Sequence, residues 1–208
     1  MKTGIAEKTM FPAGSLYLEG LLIRGKSPEA AVISHPHPLY GGDMYNQVVG
    51  HISQAFEEKG WTTLRFNFRG VGRSQGDFDE GFGEEKDVSA AIAYLKGLGE
   101  HPIVLAGYSF GAWVNARAAR QHPDILQSIL VSPPISMMDF SFLKEGAKSR
   151  LIIAGDQVPF CPLSDLGKLV QVMKPPPSLK IIKNADHFYS SGASELISAI
   201  QESTIEKD

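Results

Sequence analysis

The chain has 208 residues, 43% of them hydrophobic and 21% charged, with a net charge of −3. This composition is that of an ordinary globular protein the size of one α/β domain, 1–208, and the charge gives no attraction to nucleic acid or to an anionic membrane. A disulfide within the chain is excluded by the single cysteine, Cys161, and we expect a cytoplasmic protein because no signal-peptide core and no membrane-length apolar stretch is visible.

Apolar runs of strand length alternate along the chain with segments of helical periodicity. In chain order, the predicted elements are a strand or hairpin over 15–25, a strand over 29–36, a helix over 43–60, a strand over 61–70, a helix over 83–99, a strand over 102–108, a helix over 110–121, strands over 127–132 and 149–155, a helix over 163–173, a strand over 179–183 and a helix near 192–203. This alternation predicts an α/β fold with a mostly parallel central sheet and helices on both faces.

Parallel sheets of this kind bind their ligands at the carboxyl ends of the strands, so functional residues are expected directly after strands. Gly107-Tyr108-Ser109-Phe110-Gly111 lies in such a place, after a continuous apolar strand and before a helical segment. A Gly-x-Ser-x-Gly sequence between strand and helix is typical of a nucleophile elbow, in which a sharp turn exposes the serine hydroxyl. The alternative is a glycine-rich turn with a capping serine. We predict that Ser109 is a nucleophile.

A serine hydroxyl needs a base to remove its proton. Of the six histidines, His187 is the one that follows the last predicted strand and comes after Ser109 at the carboxyl edge of the sheet. The order serine, acid, histidine is that of the α/β-hydrolases. We therefore predict that His187 is the general base.

Several segments together resemble one family. They are SHPHPLYGGDMYN, TTLRFNFRGVGRSQGDFDEG, AGYSFGAW, LIIAGDQVPF and NADHFY, and the resemblance extends from about residue 15 to 203. The chain resembles small α/β-hydrolases without a lid, related to dienelactone hydrolases and bacterial carboxylesterases. The resemblance implies an α/β-hydrolase fold and hydrolysis of a carboxylic ester, or of a similar activated acyl group, in a small molecule, without a cofactor.

The acid is the point at which the sequence departs from this family. Members typically carry Gly-x-x-Asp-x-x-Val after a late strand, but the residue three positions after Gly155 is Val158. Relative to this pattern, a few residues between Gln157 and Val158 are missing, the usual aspartate among them.

Three aspartates could replace it. Asp156 ends the appropriate strand and is the preferred candidate, Asp165 could reach back from the following helix, and Asp139 follows strand 127–132, where some hydrolases place their acid. A chain without a working acid is the fourth alternative. The expected triad is therefore Ser109, His187 and Asp156.

Acyl transfer also needs hydrogen-bond donors for the developing oxyanion. The backbone N–H of Phe110, directly after the nucleophile, is one, and by resemblance to His-Gly-x-Pro loops the backbone N–H of His37 is the second. No metal is expected, because His35 and His37 are only two ligands without a partner cluster.

Tyr40, Tyr108 and Phe188 flank the predicted site and could line it. The predicted strands 127–132 and 149–155 are separated only by residues 133 to 148, where the lid domains of this superfamily are commonly inserted, so we expect an open site. Two other functions remain: a degenerate, non-catalytic member that binds an acyl-like ligand, and a peptidase or thioesterase on the same scaffold.

Overall fold

One eight-stranded sheet contains every strand of residues 4–144 and 148–204, the parts of the chain that the computed structural model describes. The strands are β1 (Ala6–Ala13), β2 (Leu16–Ile23), β3 (Ala30–Ser34), β4 (Thr62–Phe66), β5 (Ile103–Tyr108), β6 (Gln127–Val131), β7 (Ser149–Gly155) and β8 (Ser178–Ile182). Their order across the sheet is β1-β2-β4-β3-β5-β6-β7-β8. The six strands from β4 to β8 are parallel, and β1 and β2 join at one side as antiparallel strands, so the predicted mostly parallel sheet is confirmed.

Helices cover both faces of this sheet. They are α1 (Gln47–Glu57), α2 (Phe82–Gly97), α3 (Phe110–Ala118), α4 (Leu163–Val172) and α5 (Ala193–Ser203), with short 3-10 helices at Pro38–Tyr40, Ala119–Gln121 and Ser141–Lys144. On one face α1 packs against α5, and on the other α2 packs against α3. The layers are those expected when parallel strands alternate with crossover helices.

Strand β5 lies near the centre of the sheet and shows how the two cores form. Its side chains alternate, since Ile103 and Leu105 pack into the core on the α2–α3 face, while Val104, Ala106 and Tyr108 pack into the core beneath α1 and α5. All six residues of the strand are buried, as its unbroken apolar sequence predicts. Because β5 is fixed on both faces, the turn that follows it is held by a rigid support.

The first strand differs from the sequence prediction. The hairpin pairs Ala6 with Ile23 and Ala13 with Leu16, so it starts well before residue 15. Most of β1 is exposed, and Phe11 is its one fully buried side chain. An edge strand with a single anchor lacks the alternating pattern by which strands are recognised.

The connection from β6 to β7 covers residues 132–148, and its described part contains one 3-10 helix. This segment is too short for a lid domain, so the fold is of the type without a lid. Separately, none of the helices described has the combined length and apolar character that a membrane crossing requires.

Candidate active site

Ser109 occupies a sharp turn between β5 and α3. Its backbone angles are φ 55° and ψ −119°, a conformation that residues with a side chain rarely adopt. The turn is held because the Ser109 N–H donates to the carbonyl of Val131, at 2.9 Å, and the Ser109 carbonyl accepts from the N–H of Ala112, at 2.9 Å. Strain of this kind persists only where the surroundings fix it, and it is common at functional sites.

The two glycines that flank Ser109 are required by close backbone contacts. A Cβ at Gly107 would lie 2.3 Å from the carbonyl oxygen of Gly111, and a Cβ at Gly111 would lie 2.5 Å from that of Ser34. Both distances are too short for any side chain, so glycine is needed for α3 to start directly at the end of β5 and to approach β3. The spacing in the sequence thus has a steric cause.

Two backbone N–H groups near this turn are free to bind an anion. Phe110 is the first residue of α3, and His37 precedes the 3-10 helix Pro38–Tyr40. In the described residues neither N–H donates a hydrogen bond. The two residues are neighbours, since the centroids of their rings lie 4.8 Å apart. An N–H at a helix start carries the positive end of the helix dipole, which suits a developing negative charge.

His35 supports the loop that carries His37. Its Nε2 accepts from the N–H of Phe68 at 3.0 Å, which leaves its proton on Nδ1, 2.6 Å from the carbonyl of Pro36. Burial lowers the pKa of His35 to about 4, so the ring stays neutral and both nitrogens are occupied. This structural role of His35 is not predicted from the sequence, although its place directly after a buried strand is a signal for one.

His187 lies in the loop between β8 and α5, beside the end of β5. The Tyr108 hydroxyl donates to the His187 carbonyl at 2.8 Å, and the two rings lie 5.1 Å apart. Burial lowers the pKa of the His187 imidazole, an effect that the nearby Asp186 charge opposes in part. The structure thus brings the predicted base next to the residue that precedes the predicted nucleophile. The side chains of Ser109 and His187 are not hydrogen-bonded to each other.

In the part of the chain that the structure describes, no carboxylate is hydrogen-bonded to Nδ1 of this ring. His187 Nδ1 is buried and has no hydrogen-bond partner among the described residues. Asp156 is exposed and only its backbone N–H is engaged, by the Ile182 carbonyl. Asp139 accepts from Ser141, and Asp165 pairs with Lys168. None of the three candidate acids is hydrogen-bonded to His187.

The three side chains predicted to line the site differ in exposure. Tyr40 and Phe188 are 78% and 62% exposed, so they can contact a substrate. Tyr108 is 1% exposed and packs into the core beneath α1 and α5, so it offers almost no surface to a substrate. Its side chain packs between β5 and the helices of that face, and its hydroxyl donates to the carbonyl of His187.

The opposite edge of the sheet carries a separate cavity of about 800 Å³. Its lining includes Gln127 and Ser178, the first residues of β6 and β8, together with Arg150 and Glu202. None of the predicted site residues lines it. Over residues 4–144 and 148–204, no group of three or more His, Cys, Asp or Glu side chains is placed to hold a metal ion.

Comparison with known proteins gives consistent matches. A family model described as serine aminopeptidase, S33, matches residues 33–193. An uncharacterized protein of Rickettsia prowazekii is 36% identical over 197 residues, 89% of this chain and 83% of the relative. The structure of an α/β serine hydrolase homologue from Coxiella burnetii has 34% identity and a TM-score of 0.89, with 95% of this chain and 97% of that chain covered. A Xanthomonas campestris α/β serine hydrolase without a lid has 28% identity and a TM-score of 0.86, with 95% and 93% covered.

Proposed function

Since the chain belongs to the serine aminopeptidase S33 family of α/β serine hydrolases, we propose that it hydrolyses carboxylic esters of small molecules through an acyl-enzyme on Ser109. The observation that carries the proposal is the turn at Ser109, with φ 55° on a serine and two N–H groups without acceptors beside it. A turn of this kind is costly, and a purely structural glycine-rich loop does not need it.

The proposed reaction has two stages. Ser109 Oγ attacks the acyl carbon while His187 Nε2 accepts the hydroxyl proton, and the carbonyl oxygen becomes an oxyanion held by the N–H groups of Phe110 and His37. The C–O bond to the alcohol then breaks, and His187 returns its proton to the departing oxygen. A water molecule next attacks the acyl-enzyme and gives a proton to His187. The bond between the acyl carbon and Ser109 Oγ then breaks, His187 returns the proton to that oxygen, and the acid leaves. Burial favours the neutral imidazole, the form that can act as a base.

The surroundings favour a substrate with an apolar part. Tyr40, at the end of the 3-10 helix Pro38–Tyr40, and Phe188, in the histidine loop, are exposed beside the proposed site. Phe160, whose ring lies 5.6 Å from that of His187, is 43% exposed. These side chains present apolar surface to solvent, where an acyl chain or an aromatic alcohol could be covered. The absence of a lid leaves this surface open.

Covalent labelling tests the nucleophile. Wild-type protein should react with a fluorophosphonate probe and hydrolyse p-nitrophenyl esters, and Ser109→Ala should lose both, with ester turnover reduced by at least about 10³-fold. Ser194→Ala, at an exposed serine in α5, is the matched control and should behave as wild type. A wild-type protein that neither labels nor hydrolyses any ester would refute the proposal.

A second candidate is a binding protein that no longer catalyses. It is favoured because His187 Nδ1 has no hydrogen-bond partner among the residues that the structure describes. Fluorophosphonate labelling separates the two, because a protein that only binds an acyl compound would not react with the probe at Ser109. The substrate panel should also include acyl-thioesters and aminoacyl amides. Faster cleavage of either class than of any ester would keep the nucleophile and replace the substrate class.

A further inference from the structure

The histidine of the proposed site raises a question of orientation. In a serine–histidine–acid site, the carboxylate on Nδ1 holds the ring in the tautomer and direction that let Nε2 accept the serine proton. Here Nδ1 of His187 is buried without a partner in the described residues. A ring that is free to turn would spend much of its time facing away from the nucleophile. Some other contact must therefore hold it, or the site is inactive.

Tyr108 makes two contacts with this residue. Its ring packs against the imidazole with centroids 5.1 Å apart and planes inclined by 37°. Its hydroxyl donates to the His187 carbonyl at 2.8 Å. Because the Tyr108 side chain is 1% exposed and belongs to the central strand β5, it is a fixed support. The tyrosine therefore restrains both the backbone and the side chain of His187.

A second tyrosine fixes the same loop two residues later. Tyr189 is fully buried, and its hydroxyl lies 2.9 Å from Ser132 Oγ at the end of β6. Both residues have left-handed backbone angles, with φ of 52° for Tyr189 and 45° for Ser132. Two residues with unfavourable backbone angles, joined by one buried hydrogen bond, indicate a contact that the surrounding fold maintains.

The loop is also closed on itself. The Asp186 carboxylate accepts from the N–H groups of Phe188 and Ser190, at 3.1 and 2.9 Å, and from the Ser190 hydroxyl at 2.8 Å. The Gln157 N–H donates to the carbonyl of Ala185 at 3.1 Å. Every residue from 185 to 189 thus takes part in a hydrogen bond to the loop or to a strand end.

We propose that Tyr108 is a positioning residue that orients His187 in place of a carboxylate on Nδ1, with Tyr189 and Ser132 fixing the other side of the loop. The inference rests on the proposed hydrolase function and deepens it. No proton passes to either tyrosine, since Tyr108 only donates its hydroxyl hydrogen to a backbone carbonyl. The proton taken from Ser109 stays on His187 until the leaving group receives it.

The test compares tyrosine-to-phenylalanine variants of the full chain with p-nitrophenyl acetate as substrate. Tyr108→Phe keeps the ring and removes the bond to the His187 carbonyl. We expect kcat to fall about 10- to 100-fold, with KM within about twofold, because misplacement of a catalytic group affects the transition state. The rate of fluorophosphonate labelling should fall by a similar factor. Tyr189→Phe should have an effect in the same direction.

Tyr94→Phe is the matched control. It also removes one hydrogen bond of a tyrosine hydroxyl, the 2.9 Å bond between Tyr94 and Thr9, but this bond joins α2 to β1 and lies outside the histidine loop. Its kcat should equal that of wild type. Thermal midpoints show whether each variant is folded, and if Tyr108→Phe is not, Tyr189→Phe carries the test.

Asp156→Asn decides between the tyrosines and an acid. Its kcat should stay within about twofold of wild type, because Asp156 is not hydrogen-bonded to His187. An aspartate that does orient the histidine is worth up to about 10⁴-fold in kcat. A loss of 100-fold in Asp156→Asn, or wild-type kcat in both Tyr108→Phe and Tyr189→Phe, would overturn the inference and leave the hydrolase function intact. An unreactive wild-type protein would instead overturn the function itself, and the inference with it.

Discussion

The two halves of the proposed site are built in different ways. The nucleophile half, Ser109 with the N–H groups of Phe110 and His37, depends on short-range backbone geometry and on two glycines that no other residue can replace. The histidine half depends on contacts between distant parts of the chain, such as the bond between Tyr108 and His187, 79 positions apart. The first half has a strained turn and two free N–H groups where the sequence predicts them. In the second half, no carboxylate of residues 4–144 and 148–204 is hydrogen-bonded to the imidazole Nδ1.

This difference has an energetic meaning. Stabilisation of the oxyanion by fixed donors is commonly the largest part of catalysis in such enzymes. The N–H groups of Phe110 and His37, which donate no hydrogen bond in the described residues, are available for it. The acid contributes orientation of the histidine and stabilisation of its charged form. Tyr108 can supply the first of these but not the second, because a neutral hydroxyl on a backbone carbonyl adds no negative charge near the ring. We therefore expect a functional but slow enzyme.

Among changes to the histidine half, removal of the base should lower ester turnover the most. His187→Ala should lower ester turnover by about 10²- to 10⁴-fold, because general base catalysis contributes that much. His51→Ala is the control: His51 lies on α1, where its Nε2 contacts Gln47, and its loss should not change the rate. Steady-state rates with p-nitrophenyl acetate measure both. Equal rates for His187→Ala and wild type would mean that another base serves Ser109.

The nucleophile half can be broken at a single N–H group. His37→Pro removes that group, and the φ of −57° at this position already suits proline. We expect kcat to fall about 10²- to 10³-fold, the usual cost of one oxyanion donor. His37→Ala keeps the N–H and loses the ring together with the hydrogen bond that its Nδ1 accepts from the Leu39 N–H, so its kcat should stay within about threefold of wild type. Similar losses in both variants would show that the ring acts and not the backbone.

The histidine half can be repaired. Insertion of Asp-Glu-Ser between Gln157 and Val158 restores Gly-x-x-Asp-x-x-Val after β7, in an exposed loop where insertions are tolerated. We expect kcat to rise by about 10-fold or more, given the large effect of a triad acid. Insertion of Asn-Glu-Ser changes the loop equally but supplies no charge. A gain with both insertions would attribute the effect to loop length.

The sequence predicts the parallel part of this fold well because its strands are buried on both faces and its helices have regular periodicity. Strand β1 is missed since it has one buried anchor, Phe11. Within the site, Ser109 can be identified because its requirements are local. The proposed support of His187 by Tyr108 cannot be predicted in this way. The sequence shows a tyrosine next to the nucleophile, but it does not show which distant residue the hydroxyl contacts.

The smallest expected effect is the change of kcat/KM with pH. It shows whether burial or a nearby negative charge dominates the pKa of His187. Burial lowers the pKa of the imidazole, and the described residues hold no carboxylate on Nδ1 that would raise it. The base form then persists below the ordinary value of about 6.5, and kcat/KM should lose less than about fourfold between pH 8 and pH 6. The Asp-Glu-Ser insertion should move this limb to higher pH, since a negative charge favours the protonated ring.

Burial lowers the pKa of His37 as well, so the pH profile of His37→Ala must match that of wild type if the limb belongs to His187. A wild-type limb above pH 6.5 would mean that a negative charge near the ring outweighs its burial.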